Sequence, residues 1–169
     1  MKNFLSLIDQ SLLAEEAVDP RYENSPFRAL KNLPAKQKGK RYEEITEHVL
    51  TKVGSTVEKP QNTDHDRIID SHKVEIKGST LNKGTNVFSF LQIRPAQDYT
   101  HLMFSMFYPD RLVIMVMPKS KVIENIEAGY FKKQHGGNKA ESGTFCYYGD
   151  AESLSVLGAT YVNGANLAE

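Results

Sequence analysis

The amino-acid sequence predicts an α+β fold, with a mixed central β-sheet flanked by helices. Three observations carry that expectation. Apolar side chains recur at three- and four-residue spacing between Gly39 and Lys52, the period of an amphipathic helix. After Gly54 the pattern breaks into short strand-like runs separated by polar turns. Residues 99–107 and 111–117 are then apolar almost throughout, as expected of strands covered on both faces.

The elements follow in order. Residues 3–16 read as an amphipathic helix, with Leu5, Ile8 and Leu12 on one stripe and Phe4 and Leu13 widening it. Residues 17–35 carry Pro20, Pro26 and Pro34 and are expected to be irregular, with one short helix around Phe27 to Asn32. The long helix from about Gly39 to Lys52 carries Tyr42, Ile45, Val49 and Val53 at three- and four-residue spacing and stops at Gly54. Ser55 to Lys59 is a short strand candidate. Arg67 to Ile69 and Lys73 to Lys77 form a hairpin across Asp70-Ser71-His72, and Val87 to Ile93 is a further strand. The two apolar strands make a hairpin across Tyr108-Pro109-Asp110, and the run of strands reads as antiparallel. Pro118 opens a helix to about Ala128. A polar loop at 134–143, a strand at 144–148 and a last short helix and strand complete the chain.

Composition excludes several classes. The 169 residues suit one domain with a hydrophobic core. A single cysteine, Cys146, rules out an internal disulfide framework and suits the cytoplasm. The longest apolar run, Leu112 to Met117, is far too short to cross a bilayer. Asp9 and Gln10 interrupt the N-terminal apolar stretch, so no signal-peptide core is expected. Lys plus Arg and Asp plus Glu both number 21, a balance that at first argues against a nucleic-acid partner.

The balance conceals an asymmetry. Between Glu23 and Glu43 there is no acid, but there are Arg28, Lys31, Lys36, Lys38, Lys40 and Arg41. Asp64, Asp66, Asp70 and Glu75 form an acidic cluster just downstream. A basic stretch beside such a cluster suits phosphate backbones and metal ions together. A solvated, lysine-rich helix face is the competing reading.

The chemistry-bearing segment runs from Asp66 to Lys77. Residues two apart on a strand share a face, so Glu75 and Lys77 point one way while Val74 and Ile76 point the other. A hairpin turn returns Asp66 to their side. Two hard carboxylates and one lysine suit Mg²⁺, with Mn²⁺ as a substitute, and a lysine able to orient the attacking water. Cross-strand ion pairs on a surface hairpin are the alternative. Glu43, on the preceding helix, and Gln92, one strand later, are accessory candidates. A satisfied core amide is the competing reading of Gln92.

In order, Glu43, Asp66, Glu75-Ile76-Lys77 and Gln92 resemble the PD-(D/E)xK nuclease superfamily, the fold of many type II restriction endonucleases. The resemblance spans roughly 37–130 and implies an αβββαβ core. It implies metal ligation by Asp66 and Glu75, a water-positioning Lys77, an accessory acid at Glu43 and an accessory amide at Gln92. His65 stands where the family name has proline, and Asp64 and Asp70 are rival aspartates.

On this reading residues 1–169 form a single nuclease domain, a Mg²⁺-dependent endodeoxyribonuclease of the restriction type. A homing, junction-resolving or repair nuclease, or an inactive DNA-binding module, would keep the same fold. Double-stranded DNA would meet phosphate contacts from Lys36, Lys38, Lys40, Arg41, Lys73, Ser79, Lys83 and Arg94. The loop 132–143 is the candidate base reader, through Gln134, His135, Asn138 and Lys139. Cutting both strands with one site per chain implies a homodimer, with the helix 3–16 as a candidate dimer element. The five histidines and Cys146 show no zinc-ligand spacing.

Overall fold

The computed structural model describes residues 19–61, 65–134 and 143–162. The helix expected at 3–16 lies outside the described residues, as do Asp64, His135, Asn138 and Lys139.

The fold is α+β, with a mixed sheet at its centre. A 3-10 turn at Pro20–Tyr22 leads to α1 (Arg28–Asn32) and α2 (Ala35–Lys52). Strands β1 (Val57–Glu58), β2 (Arg67–Ile69), β3 (His72–Thr80), β4 (Phe88–Ile93), β5 (His101–Phe107) and β6 (Leu112–Pro118) follow. Then come α3 (Lys119–Glu127), β7 (Lys132–Lys133), β8 (Phe145–Gly149), α4 (Ala151–Val156) and β9 (Thr160–Tyr161). No described helix is long and apolar enough to cross a membrane.

Six strands form the central sheet in the order β1-β2-β3-β5-β6-β9, and β4-β8-β7 form a second, smaller sheet. The strands are not antiparallel throughout, as the sequence had suggested. β3 and β5 run parallel, with Glu75 opposite Leu102 and Lys77 opposite Phe104. The reason lies in β4. Its buried Phe88 and Phe90 alternate with half-exposed Ser89 and exposed Leu91. Such a strand has one apolar face, which suits an edge or a separate layer. It therefore leaves for the second sheet, and β5 takes its place beside β3.

The continuous apolar runs of β5 and β6 resolve into two cores. Met103, Ile114 and Val116 meet Leu50, Ile69, Val74 and Ile76 under α2. Leu102, Phe104, Met106, Met115 and Met117 meet Phe88, Phe90, Ile93, Phe131, Tyr147 and Leu154 on the opposite face. Each of these apolar side chains thus has a partner layer, at roughly 1.5–3 kcal/mol per buried residue.

Helix α2 begins at Ala35, four residues before the expected start. Pro34 occupies the position just ahead of it with an extended backbone, so the helix takes up the chain as soon as proline allows. Two contacts fix it on the sheet. The Thr46 hydroxyl lies 2.8 Å from that of Ser105 on β5, both buried. The Tyr42 ring lies directly over the backbone of Gly78, where any Cβ would collide with it. Glycine is required there by close approach of the helix. The seat for α2 is therefore one residue beyond Lys77, which brings Glu43 beside the charged end of β3.

Candidate active site

The β2–β3 turn is two residues long, and both Asp70 (φ 47°) and Ser71 (φ 70°) are left-handed. That geometry matches the right-handed twist of a tight hairpin. It sets Asp66, just before β2, against Val74 and Ile76 of β3. The Asp66 amide donates to the Val74 carbonyl at 3.1 Å. The Ile76 amide donates to the Asp66 carboxylate at 2.7 Å. Asp66 is thereby aimed by backbone on both sides.

Glu75 and Lys77 share a face of β3, as the strand period requires, and their side chains pair at 2.6 Å. The Glu75 side chain is only 7% exposed and that of Lys77 17%. A pair this dry stabilises little by itself, because desolvation offsets its attraction. Burial pushes the Glu75 carboxyl above the usual range, Lys77 pulls it back, and Asp66 raises it again. Glu43 is pushed up to about 7, by burial first and then by Asp66, with Arg67 opposing and Glu75 adding a smaller push. Three carboxyl groups therefore repel one another here, with Lys77 and Arg67 as partial compensation. Such an arrangement is less costly when a cation joins it.

Asp66, Lys77, Glu43 and Gln92 all line one cleft of about 670 Å³, together with Lys31, Lys36, Lys38 and Ser79. Glu75 is tied to this cleft through its pairing with Lys77. Burial lowers the ammonium pKa of both Lys31 and Lys38. For Lys31, Asp19 opposes the shift and the charge of Lys38 adds to it. An anion between the two lysines would relieve both effects. Gln92 is exposed in the cleft wall, so the core-amide reading does not hold.

The remaining predicted contacts are dispersed. Lys36 borders this cleft and a neighbouring shallow groove that holds Lys40 and Arg41. Arg41 and Lys40 both pair with Glu44, at 2.7 and 3.8 Å. Lys73 pairs with Asp98 at 2.6 Å. The Ser79 hydroxyl is engaged by the Ser89 amide at 3.0 Å and the Thr80 carbonyl at 2.9 Å. Lys83 sits in the β3–β4 connection and Arg94 just after β4. Asp70, the rival aspartate in the turn, receives the Thr56 amide at 2.8 Å, which ties the chain just ahead of β1 to the hairpin. His65 is buried, with neither ring nitrogen hydrogen-bonded.

Sequence reasoning missed Arg67. Its guanidinium lies 3.8 Å from Glu43 and 2.7 Å from Glu47, joining α2 to the start of β2. The i,i+4 spacing of Glu43 and Glu47 on a helix was the available signal. Asn82 was also missed as a cleft residue, and Lys31, though part of the basic stretch, was not among the expected contacts. Both come from segments whose place beside the cleft only the tertiary fold reveals.

Among the described residues no group of three or more His, Cys, Asp or Glu side chains converges tightly enough to cage a metal ion. The donors present are hard carboxylate oxygens, which fit Mg²⁺ or Mn²⁺ with water completing the shell. Asp66 and Glu75 are the residues that would hold it.

No protein-family model matches the chain, and no curated protein matches it in sequence. Among solved structures, a bacterial homing endonuclease aligns with a TM-score of 0.43 and 16% identity, over 68% of this chain and 74% of that one.

Proposed function

We propose that the chain is a metal-dependent endodeoxyribonuclease, a sequence-specific restriction enzyme acting as a homodimer on palindromic duplex DNA. One observation carries the reading: Asp66, Lys77 and Glu43 line one lysine-bordered cleft, and the buried Glu75 pairs with Lys77 at its wall.

A divalent ion held by Asp66 and Glu75 would lower the pKa of a bound water and neutralise charge on the scissile phosphate. The chain's own groups divide the remaining work. The Ile76 amide fixes the Asp66 carboxylate. Lys77, whose ammonium pairs with Glu75 at 2.6 Å, would orient the attacking water and meet the developing negative charge. Lys31, Lys36 and Lys38 hold the flanking phosphates along the cleft.

A plasmid-cleavage assay with Mg²⁺ or Mn²⁺, and with chelator as control, tests the proposal. Cleavage should require the ion and map to a fixed sequence. Lys77→Ala and Asp66→Ala cutting as fast as the parent would refute the assignment. Calorimetry separates an inactive DNA-binding module, which would show no Mn²⁺ site lost in Glu75→Ala. Dispersed or structure-selective ends would replace restriction with a repair or resolving role.

A further inference from the structure

β4 carries one residue too many for its partner. Phe90 pairs with Tyr147 and Ile93 with Phe145, so Leu91 and Gln92 together oppose the single residue Cys146. This is a β-bulge. Regular alternation would have turned Gln92 to the Phe88 and Phe90 side, into the core. The bulge turns it out, so Leu91 and Gln92 are both exposed while Ile93 returns to the core.

The extra residue has a cost. Gln92 adopts φ 57°, a left-handed conformation that a residue with a Cβ avoids by about 1–2 kcal/mol. Its amide also loses its ladder partner. Gln134, the residue after β7, meets that amide: its side-chain oxygen accepts the Gln92 N–H at 2.7 Å. The Gln134 main chain is itself anchored, donating to the Thr144 carbonyl at 2.9 Å. Because β8 lies between β7 and β4, the Gln134 side chain clasps the far strand of the small sheet.

We infer that Gln134 is a positioning residue: its amide oxygen holds the Gln92 bulge in its left-handed form, so that the Gln92 side chain faces bound DNA in the cleft. This rests on the nuclease reading for the identity of the ligand, and on the bulge geometry alone for the clasp. Gln134, expected to read bases directly, acts through Gln92 instead.

Two measurements on the full chain decide it. The first is amide hydrogen exchange by NMR. Gln134→Ala should speed exchange at Gln92 at least tenfold while Phe90 and Ile93 keep their protection. Gln134→Glu, which retains an acceptor, should restore it. Unchanged exchange at Gln92 in Gln134→Ala overturns the clasp.

The second is cleavage of duplex DNA with Mg²⁺, read as kcat and KM separately. Gln134→Ala should reproduce the defect of Gln92→Ala, the double variant should be no worse than either, and Gln134→Glu should recover activity. Additive defects, or parent-like kinetics in Gln134→Ala, overturn the positioning role. If the parent chain neither cuts nor binds DNA, the nuclease reading fails, and the exchange data still decide the clasp.

Discussion

The β5–β6 hairpin and the β2–β3–β4 side of the molecule are built on opposite terms. In the hairpin, Leu102, Met103, Phe104, Met106, Phe107, Met115 and Met117 are fully buried, and each faces an apolar layer. On the cleft side sit the described left-handed residues other than glycine, Asp70, Ser71 and Gln92. The buried Glu75, the half-buried Glu43 with its raised pKa, and Lys38 with its lowered one are there as well. Stability is made in the hairpin and given up on the cleft side. Close packing in one half holds repelling carboxyl groups and uncommon backbone in the other, the combination typical of functional sites.

The sharpest break in that comparison pairs one substitution from each half. Phe104→Ala should cost about 3–5 kcal/mol of stability, measured by urea unfolding. Asp66→Asn should slow cleavage by about 10³-fold, equivalent to about 4 kcal/mol on the barrier, yet leave the unfolding midpoint nearly unchanged. If Asp66→Asn unfolds the protein instead, the two halves are not separable in this way.

Gly78→Ala probes their junction. A methyl group there strikes the Tyr42 ring, and overpacking of this kind costs about 1–3 kcal/mol. The helix must shift to admit it, so cleavage should fall along with the melting temperature. A loss of stability with full activity would show that Glu43 needs no exact seat.

Glu43→Gln sharpens the electrostatic half. The parent carboxyl titrates at about 7 in the folded chain, above its ordinary value. Folded protein therefore holds this proton where unfolded protein releases it, and stability falls as pH rises toward and through 7. The substituted amide has no proton to lose. The variant should be more stable than the parent above pH 7, by on the order of 2 kcal/mol, with the gap closing below about pH 4.5. Thermal melts across pH with chelator present would show this, and a constant gap would place the cause elsewhere than ionisation. Last and smallest, Lys40→Ala removes one exposed partner of Glu44 and should move stability by less than about 0.5 kcal/mol.

Much of the first half was legible from the chain. The hairpin strands are apolar at nearly every step, and that pattern admits few arrangements. The pairing of Glu75 with Lys77 followed from the two-residue strand period, and Gly54 and Pro118 marked helix boundaries. Long-range geometry was less visible. Nothing local in Phe88 to Ile93 announces that the strand departs for a second sheet, since alternation suits an edge or a separate layer equally well. The bulge at Gln92 depends on its register with β8, which lies far along the chain. Arg67 read as an ordinary strand cation until α2 set two glutamates beside it.

The detour of β4 also has a consequence for synthesis. Parallel β3 and β5 can join only after the intervening segment has been made and set aside, and the wall that carries Gln92 waits for β8. Pairings so distant in sequence close slowly and late. A ribosome releases chain from the N-terminal end, so Glu43, Asp66, Glu75 and Lys77 emerge well before the strands that enclose them. A nascent chain therefore carries these charged groups in an unassembled state, and the cleft is completed only when synthesis has passed the small sheet.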